Sequence, residues 1–161
     1  MRILVLSDTH IPRTAPDLPA AIYDEIKKAD MVIHAGDFVE KEFYDKLSKM
    51  KDLKAVCGNM DALNLRNVLN SKELIKVGKY KIGLIHGYGA SADIMETVRR
   101  EFGKVDAIVF GHSHKPVNTV KDGVLFFNPG SPTDKVFAEY NSYGVIEITD
   151  KGITGKIIRL P

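Results

Sequence analysis

The chain has little of the features that would assign it to a class at once. A single cysteine, Cys57, excludes an internal disulfide framework. Charge is balanced and unblocked: 23 lysines and arginines against 21 acids leave a formal +2, which excludes an extended nucleic-acid surface or a patch for an anionic membrane. The apolar opening, residues 1–6, is broken by Ser7-Asp8 before it could serve as a secretory signal or membrane span. With one thiol and no leader, a reducing cytoplasm is the expected home. Linkers, repeats and low-complexity tracts are missing as well. At 161 residues two full domains would be cramped, so one domain over residues 1–161 is expected. A composition of 44% hydrophobic and 27% charged residues excludes disordered, collagen-like and coiled-coil chains.

What is present is alternation of element types. Buried-looking β runs at residues 3–6 and 31–34 flank an amphipathic stretch, residues 18–29, that carries Ile22 and Ile26 at helical spacing. This is a βαβ unit. A second helix over residues 40–50 sets Phe43, Tyr44 and Leu47 on one side and leads to a third, parallel strand at residues 53–57. Residues 61–72 show no readable period. Residues 73–77 and 81–86 pair as a hairpin across Gly78-Lys79, and Ser91 is expected to cap a helix that runs to Phe102 with Ile94, Met95 and Val98 aligned. Residues 106–110 follow as a buried strand. Beyond Pro116, β-type segments at 117–120, 124–127, 143–148 and 153–158 are separated by the turns Lys121-Asp122-Gly123 and Asp150-Lys151-Gly152. An α/β fold is therefore expected, with a parallel first half and a largely antiparallel tail sharing one core.

Residues able to bind metal stand at the strand ends. The first strand runs into Ser7-Asp8-Thr9-His10, the second into Ala35-Gly36-Asp37 and the third into Gly58-Asn59-Met60-Asp61. Later strands run into His86-Gly87 and Gly111-His112-Ser113-His114. Open α/β sheets bind ligands outside the carboxyl ends of their strands, so these five loops are expected to converge. Four of the five histidines, His10, His86, His112 and His114, lie in them. The fifth, His34, sits in an apolar strand and reads as a hydrogen-bonded core residue. Imidazole together with carboxylate suits Mn²⁺, Fe²⁺, Co²⁺, Ni²⁺ or Zn²⁺ better than Mg²⁺ or Ca²⁺. Asp8, His10, Asp37, Asn59, His86, His112 and His114 overfill one tetrahedral ion but divide between two if a carboxylate bridges them. Two ions roughly 3.5–4 Å apart clamp the attacking and leaving oxygens of a phosphoryl displacement. Two divalent cations also outweigh two ligating aspartates, which draws in an anionic substrate.

Taken in order, Asp8-Thr9-His10, Gly36-Asp37, Gly58-Asn59, His86-Gly87 and Gly111-His112-Ser113-His114, with Asn128-Pro129-Gly130-Ser131 beyond, resemble the motifs of the calcineurin-like metallophosphoesterases. In size the chain is similar to the small single-domain phosphodiesterases of bacteria and archaea. One such motif is weak; five in order at strand ends are strong. The resemblance implies a two-sheet β-sandwich flanked by helices. It implies that Asp8, His10, Asp37 and His114 hold one divalent ion, that Asn59, His86, His112 and a shared Asp37 hold a second, and that Asp37, Asn59 and His86 serve catalysis. In such enzymes a hydroxide held by the two ions attacks phosphorus in line, because the pKa of bound water falls from about 15.7 towards 7. The expected substrate is a small phosphodiester or nucleotide-like ester in an open site, since so short a chain leaves little room for a cap domain. Helix faces could also serve a homo-oligomer.

One departure from the family pattern matters. Many members carry a histidine after the G-N asparagine, where it is thought to protonate the leaving oxygen; this chain has Met60, which has no proton to give. Poor leaving groups should then depart more slowly by about 10²- to 10⁴-fold, and activated esters are favoured. Asp61 is expected to orient Asn59 or a histidine ligand rather than act as the acid. Cys57 reads as small apolar filler, Arg66 as a solvated arginine, and Asn128 and Gly130-Ser131 as pocket borders on the family pattern alone. The alternative function is a binding scaffold, because a eukaryotic retromer subunit resembles this small fold and serves mainly through its surfaces. The complete set of seven ligand positions favours the enzyme.

Overall fold

Short apolar runs rich in Ile, Val and Leu form ten strands, and the computed structural model, which describes residues 1–161, sorts them into two sheets of five. In the first sheet β1 (Arg2–Leu6), β2 (Met31–His34) and β3 (Leu53–Ala55) run parallel, connected through α1 (Ala20–Lys28) and α2 (Lys41–Met50). The C-terminal hairpin of β9 (Ser142–Thr149) and β10 (Gly152–Arg159) adds to the other edge of β1, antiparallel, with Ile3 opposite both Met31 and Ile146. The second sheet has the order β4-β5-β6-β8-β7. Its strands are β4 (Lys72–Val77), β5 (Tyr80–Ile85), β6 (Ala107–Val109), β7 (Val117–Lys121) and β8 (Val124–Asn128), with α4 (Ile94–Arg100) crossing from β5 to β6.

The two-residue period of a strand divides the apolar residues between layers. Ile3 and Val5 turn inward and meet Ile82, Leu84, Val109 and Phe127 of the opposite sheet. Leu4 and Leu6 turn outward and are covered by Ile22 and Ile26 of α1 and by Phe43 and Leu47 of α2. On the far face α4 sets Ile94 and Val98 against Ile108, Phe110 and Phe126. The shared core expected from the sequence is thus the middle of three apolar layers.

Three local expectations are corrected. The third strand stops at Ala55, because the Cys57 N–H leaves the sheet to donate to the Asn70 carbonyl at 2.9 Å. The unread segment contains one helical turn, α3 (Leu63–Arg66), too short to carry a period. Ser91 does not cap a helix; a turn intervenes, α4 begins after Asp93, and it ends at Arg100 rather than Phe102. The tail is largely antiparallel, as expected, through the pairs β7–β8, β9–β10 and β9–β1, with one exception. β8 is buried along its whole length and runs parallel to β6, with Ile108 opposite Phe126, as suits a strand covered on both faces. Its carboxyl end therefore lies at the same sheet edge as those of β5 and β6. No helix is long and apolar enough to cross a membrane.

Candidate metal centre

At the carboxyl ends of the parallel strands the chain must leave the sheet sharply while aiming side chains back over its edge. Five of the seven donor residues do so in left-handed backbone: Asp8, His10, Asp37, His112 and His114 have φ between 45° and 65°. Asp and His tolerate this region better than most residues, yet each such conformation still costs about 1 kcal/mol, and it persists only where surroundings impose it. Here they do. The Asp8 N–H donates to the Gly36 carbonyl and the His10 N–H to the Asp37 carbonyl, both at 3.0 Å, while the His112 N–H donates to the Asp8 carboxylate at 3.1–3.2 Å.

The five loops meet. Nε2 of His10 lies 3.2 Å from Nε2 of His114, and Oδ1 of Asp8 lies 3.4 Å from the same His114 nitrogen. Oδ2 of Asp37 lies 3.5 Å from His10 Nε2 and 3.4 Å from His86 Nε2. Oδ1 of Asn59 lies 3.1 Å from His86 Nε2 and 3.2 Å from His112 Nδ1. Two bonds of 2.0–2.1 Å at the tetrahedral angle separate their donors by about 3.3 Å, so these spacings suit atoms sharing a cation. Asp8 with His10 and His114, and Asp8 with Asp37 and His86, are each close enough to hold an ion.

The tautomers suit the same reading. The His86 Nδ1–H donates to the Ala35 carbonyl at 2.7 Å, the His114 Nδ1–H to Asp134 Oδ2 at 2.5 Å, and the His112 Nε2–H to the Gly89 carbonyl at 3.2 Å. Each ring is thereby turned so that its other nitrogen faces the cluster with a lone pair. His86 Nε2 then confronts two oxygen acceptors, Asp37 Oδ2 and Asn59 Oδ1, an arrangement that needs either a proton or a cation between them. Without metal, protons supply it. Burial alone would depress His86, but the hydrogen bond with Asp37 and the charges of Asp8 and Asp37 outweigh it and carry the pKa to about 9. His114 is likewise carried to about 9 against its burial by Asp8 and Asp134. Burial would raise Asp8 and Asp37, but the facing imidazoles hold both carboxyls below the ordinary range. The residues present therefore fit divalent cations: two carboxylates, an amide oxygen and four imidazoles, three of them turned by a partner so that a lone pair is aimed inward.

Close backbone approach holds the loops together. A Cβ on Gly58 would lie 2.1 Å from Asp37 Oδ1, and one on Gly111 would lie 1.8 Å from Ser7 Oγ. Asp61 works on backbone and not, as expected, on the Asn59 side chain or a histidine. Its buried carboxylate accepts the N–H groups of Asp37, Val39 and Gly58 at 3.2, 2.7 and 2.7 Å, tying two of the loops into one unit. Arg66 is not a free solvated arginine either: it donates to the carbonyls of Asp61, at 2.8 Å, and of Asn59. His34 is buried against Phe38, its Nε2–H directed at Thr9 Oγ1 at 3.1 Å, and burial drives its pKa well below the usual value. Cys57 is half-buried, and burial pushes its thiol up.

The loop after β8 is the part that sequence reasoning undervalued. Asn128 donates to the Gly111 carbonyl and to Ser113 Oγ, and Ser131 Oγ donates to the Asp8 carbonyl at 2.7 Å. Asp134, the partner of His114, was missed. Its signal was present in the Asn128-Pro129-Gly130-Ser131 stretch just before it, read as a pocket border, but no spacing in the sequence sets Asp134 beside His114.

The cluster opens into a cleft of about 770 Å³. Met60 lines it and is 40% exposed, while its N–H donates to Asp37 Oδ1 at 2.7 Å. Residues 1–151 match the calcineurin-like phosphoesterase superfamily domain. The chain belongs to this superfamily. Calcineurin-like domains are metal-dependent, and membership makes this one a phosphoesterase domain. It is 41% identical to a probable metallophosphoesterase of Methanocaldococcus jannaschii over 138 residues, 83% of this chain and 69% of the relative. The same calcineurin-like fold occurs in Vps29 of Entamoeba histolytica complexed with zinc, which is 27% identical over 99% of this chain and 99% of that one, at a TM-score of 0.75. A novel archaeal phosphodiesterase shares the fold at a TM-score of 0.76 and 24% identity, over 99% of this chain and 100% of that one. The expected two-sheet α/β architecture is the one observed.

Proposed function

We propose that the protein is a two-metal phosphodiesterase of small substrates. Asp8, His10, Asp37 and His114 would hold one divalent ion, and Asn59, His86, His112 and the shared Asp37 the other. The observation that carries this reading is the facing of His86 Nε2, Asp37 Oδ2 and Asn59 Oδ1 at 3.1–3.4 Å, acceptors that repel unless a positive charge joins them. Bound there, divalent ions supply Lewis acidity, neutralising phosphoryl oxygens and making water acidic enough to react near neutral pH. The protein's own part is preorganisation. Asp61, Arg66 and the Asp8–His112 contact hold the loops rigid, and Ala35, Gly89 and Asp134 fix the ring orientations of His86, His112 and His114.

Imidazole-rich donors favour Mn²⁺, Fe²⁺, Co²⁺, Ni²⁺ or Zn²⁺, and the zinc of the Entamoeba Vps29 complex supports a cation of this kind. An open cleft of about 770 Å³ leaves room for both substituents of a diester. Met60 supplies no proton, so activated esters are the better substrates. The test is hydrolysis of bis(4-nitrophenyl) phosphate by metal-stripped protein with and without added Mn²⁺ or Ni²⁺, alongside elemental analysis of the protein as purified. Turnover that needs metal and is lost in Asp37→Ala is expected; turnover indifferent to both rejects the reading. The likeness to Vps29 favours a second reading, a binding scaffold, which predicts metal-independent partner binding and no turnover.

A further inference from the structure

The cleft carries features that gripping a phosphoryl group does not require. Val136 and Phe137 line it beside His114 and are 78% and 72% exposed, among the most exposed large apolar side chains of the chain. Water disfavours such exposure, yet the backbone beneath them is held firmly in place. The N–H groups of Val136, Phe137 and Ala138 donate to the Asp134 carboxylate at 2.8, 3.0 and 2.9 Å, and Asn141 Nδ2 donates to the Asp134 carbonyl at 2.6 Å. The same carboxylate orients His114, whose ring centroid lies 5.8 Å from that of Phe137 at 85°. The aromatic ring is therefore held at a set distance from the donor cluster while much of its surface faces the cleft.

The rest of the lining limits what could rest on that ring. Met60, Val136 and Phe137 are its only apolar residues. A lipid chain would need a longer apolar wall, whereas a nucleobase offers one apolar face and polar edges. Arg13 and Lys115 line the cleft too, both exposed, and no carboxylate pairs with either. From this juxtaposition we propose that Phe137, with Val136 and Met60, is the specificity platform of the cleft: it takes a flat aromatic substituent the size of a nucleobase on the diester, while Arg13 and Lys115 meet a further anionic group of the same substrate. The proposal rests on the phosphodiesterase reading and narrows its small diesters to nucleoside-bearing ones by assigning the residues that select them.

Two measurements test it on the Mn²⁺-loaded protein. In calorimetry, thymidine 5′-phosphate is expected to bind about tenfold or more tightly than methyl phosphate, and Phe137→Ala is expected to cut that ratio about tenfold while Phe137→Tyr keeps it. In hydrolysis, thymidine 5′-(4-nitrophenyl phosphate) and methyl 4-nitrophenyl phosphate lose the same 4-nitrophenolate as water forms the new P–O bond and gives up a proton. The wild-type preference for the nucleoside ester, carried in KM, is expected to shrink about tenfold in Phe137→Ala. Equal losses on both ligands would mean that Phe137 merely supports His114, and an unchanged ratio would mean that the ring touches no substrate; either overturns the platform. Failure of the wild type to hydrolyse either ester overturns the phosphodiesterase reading, and the binding ratio still decides whether the ring meets a base.

Discussion

Replacing Met60 by histidine is the sharpest test of how this site is built. Met60 is 40% exposed on the cleft wall, so an imidazole fits there without repacking the core, and the backbone N–H that holds Asp37 Oδ1 is unaffected by the change. No other imidazole lines the cleft outside the donor cluster, to which His10, His112 and His114 belong, and the Asp134 carboxylate is committed to His114. The wild type should therefore depend steeply on leaving-group acidity. A positioned general acid contributes about 10²- to 10⁴-fold. An imidazole of ordinary pKa, about 6.5, is about one-quarter protonated at pH 7, so Met60→His should accelerate poor leaving groups by about 25-fold or more. A 4-nitrophenyl ester, whose leaving group needs no proton, should change little. The assay is kcat across a series of aryl methyl phosphates with leaving-group pKa from about 7 to 10, read as a Brønsted slope. The gain should also fall about tenfold per pH unit well above the imidazole pKa. A uniform change across the series, or none, would refute the claim that a missing acid limits hydrolysis.

Gly58→Ala would drive a Cβ to within 2.1 Å of Asp37 Oδ1, and is expected to cost about 1–3 kcal/mol in urea unfolding together with metal affinity; a stable, fully metal-binding variant would contradict the close approach. Asp134→Asn leaves an oxygen for the backbone N–H groups but removes the charge that orients His114, so metal affinity should fall about 10- to 100-fold in a calorimetric titration, and unaltered affinity would count against that role. His86 and His114, raised to about 9 in the metal-free protein, hold protons at pH 7.5 that a cation must displace. Metal affinity should therefore rise with pH towards 9 and level off above it, with protons released in buffers of different ionisation heat. Binding without proton release at pH 7.5 is the contrary result. By the same sign, the stabilisation these imidazolium groups give the metal-free fold is full below pH 6.5 and is lost as pH climbs through 9.

Much of the architecture could be read from local pattern, because strand burial and turn chemistry act over a few residues. The runs at β1, β2 and β8, the hairpin at Gly78-Lys79 and the donor residues at strand ends all belong to this kind. The amino-acid sequence by itself also determined the donor chemistry, since imidazole and carboxylate keep their preference for borderline cations wherever they are placed. Tertiary structure alone decided how the C-terminal strands join the rest. Nothing within residues 124–128 or 142–149 says that β8 joins β6 in parallel while β9 joins β1 antiparallel, because that choice depends on which buried faces meet across the chain. Once β8 points the same way as β6, its following loop delivers Asp134 to His114 and Phe137 to the cleft, which no spacing of residues announces. Local sequence carries propensity and chemical type; distance, tautomer and exposure arise only when remote segments close on one another.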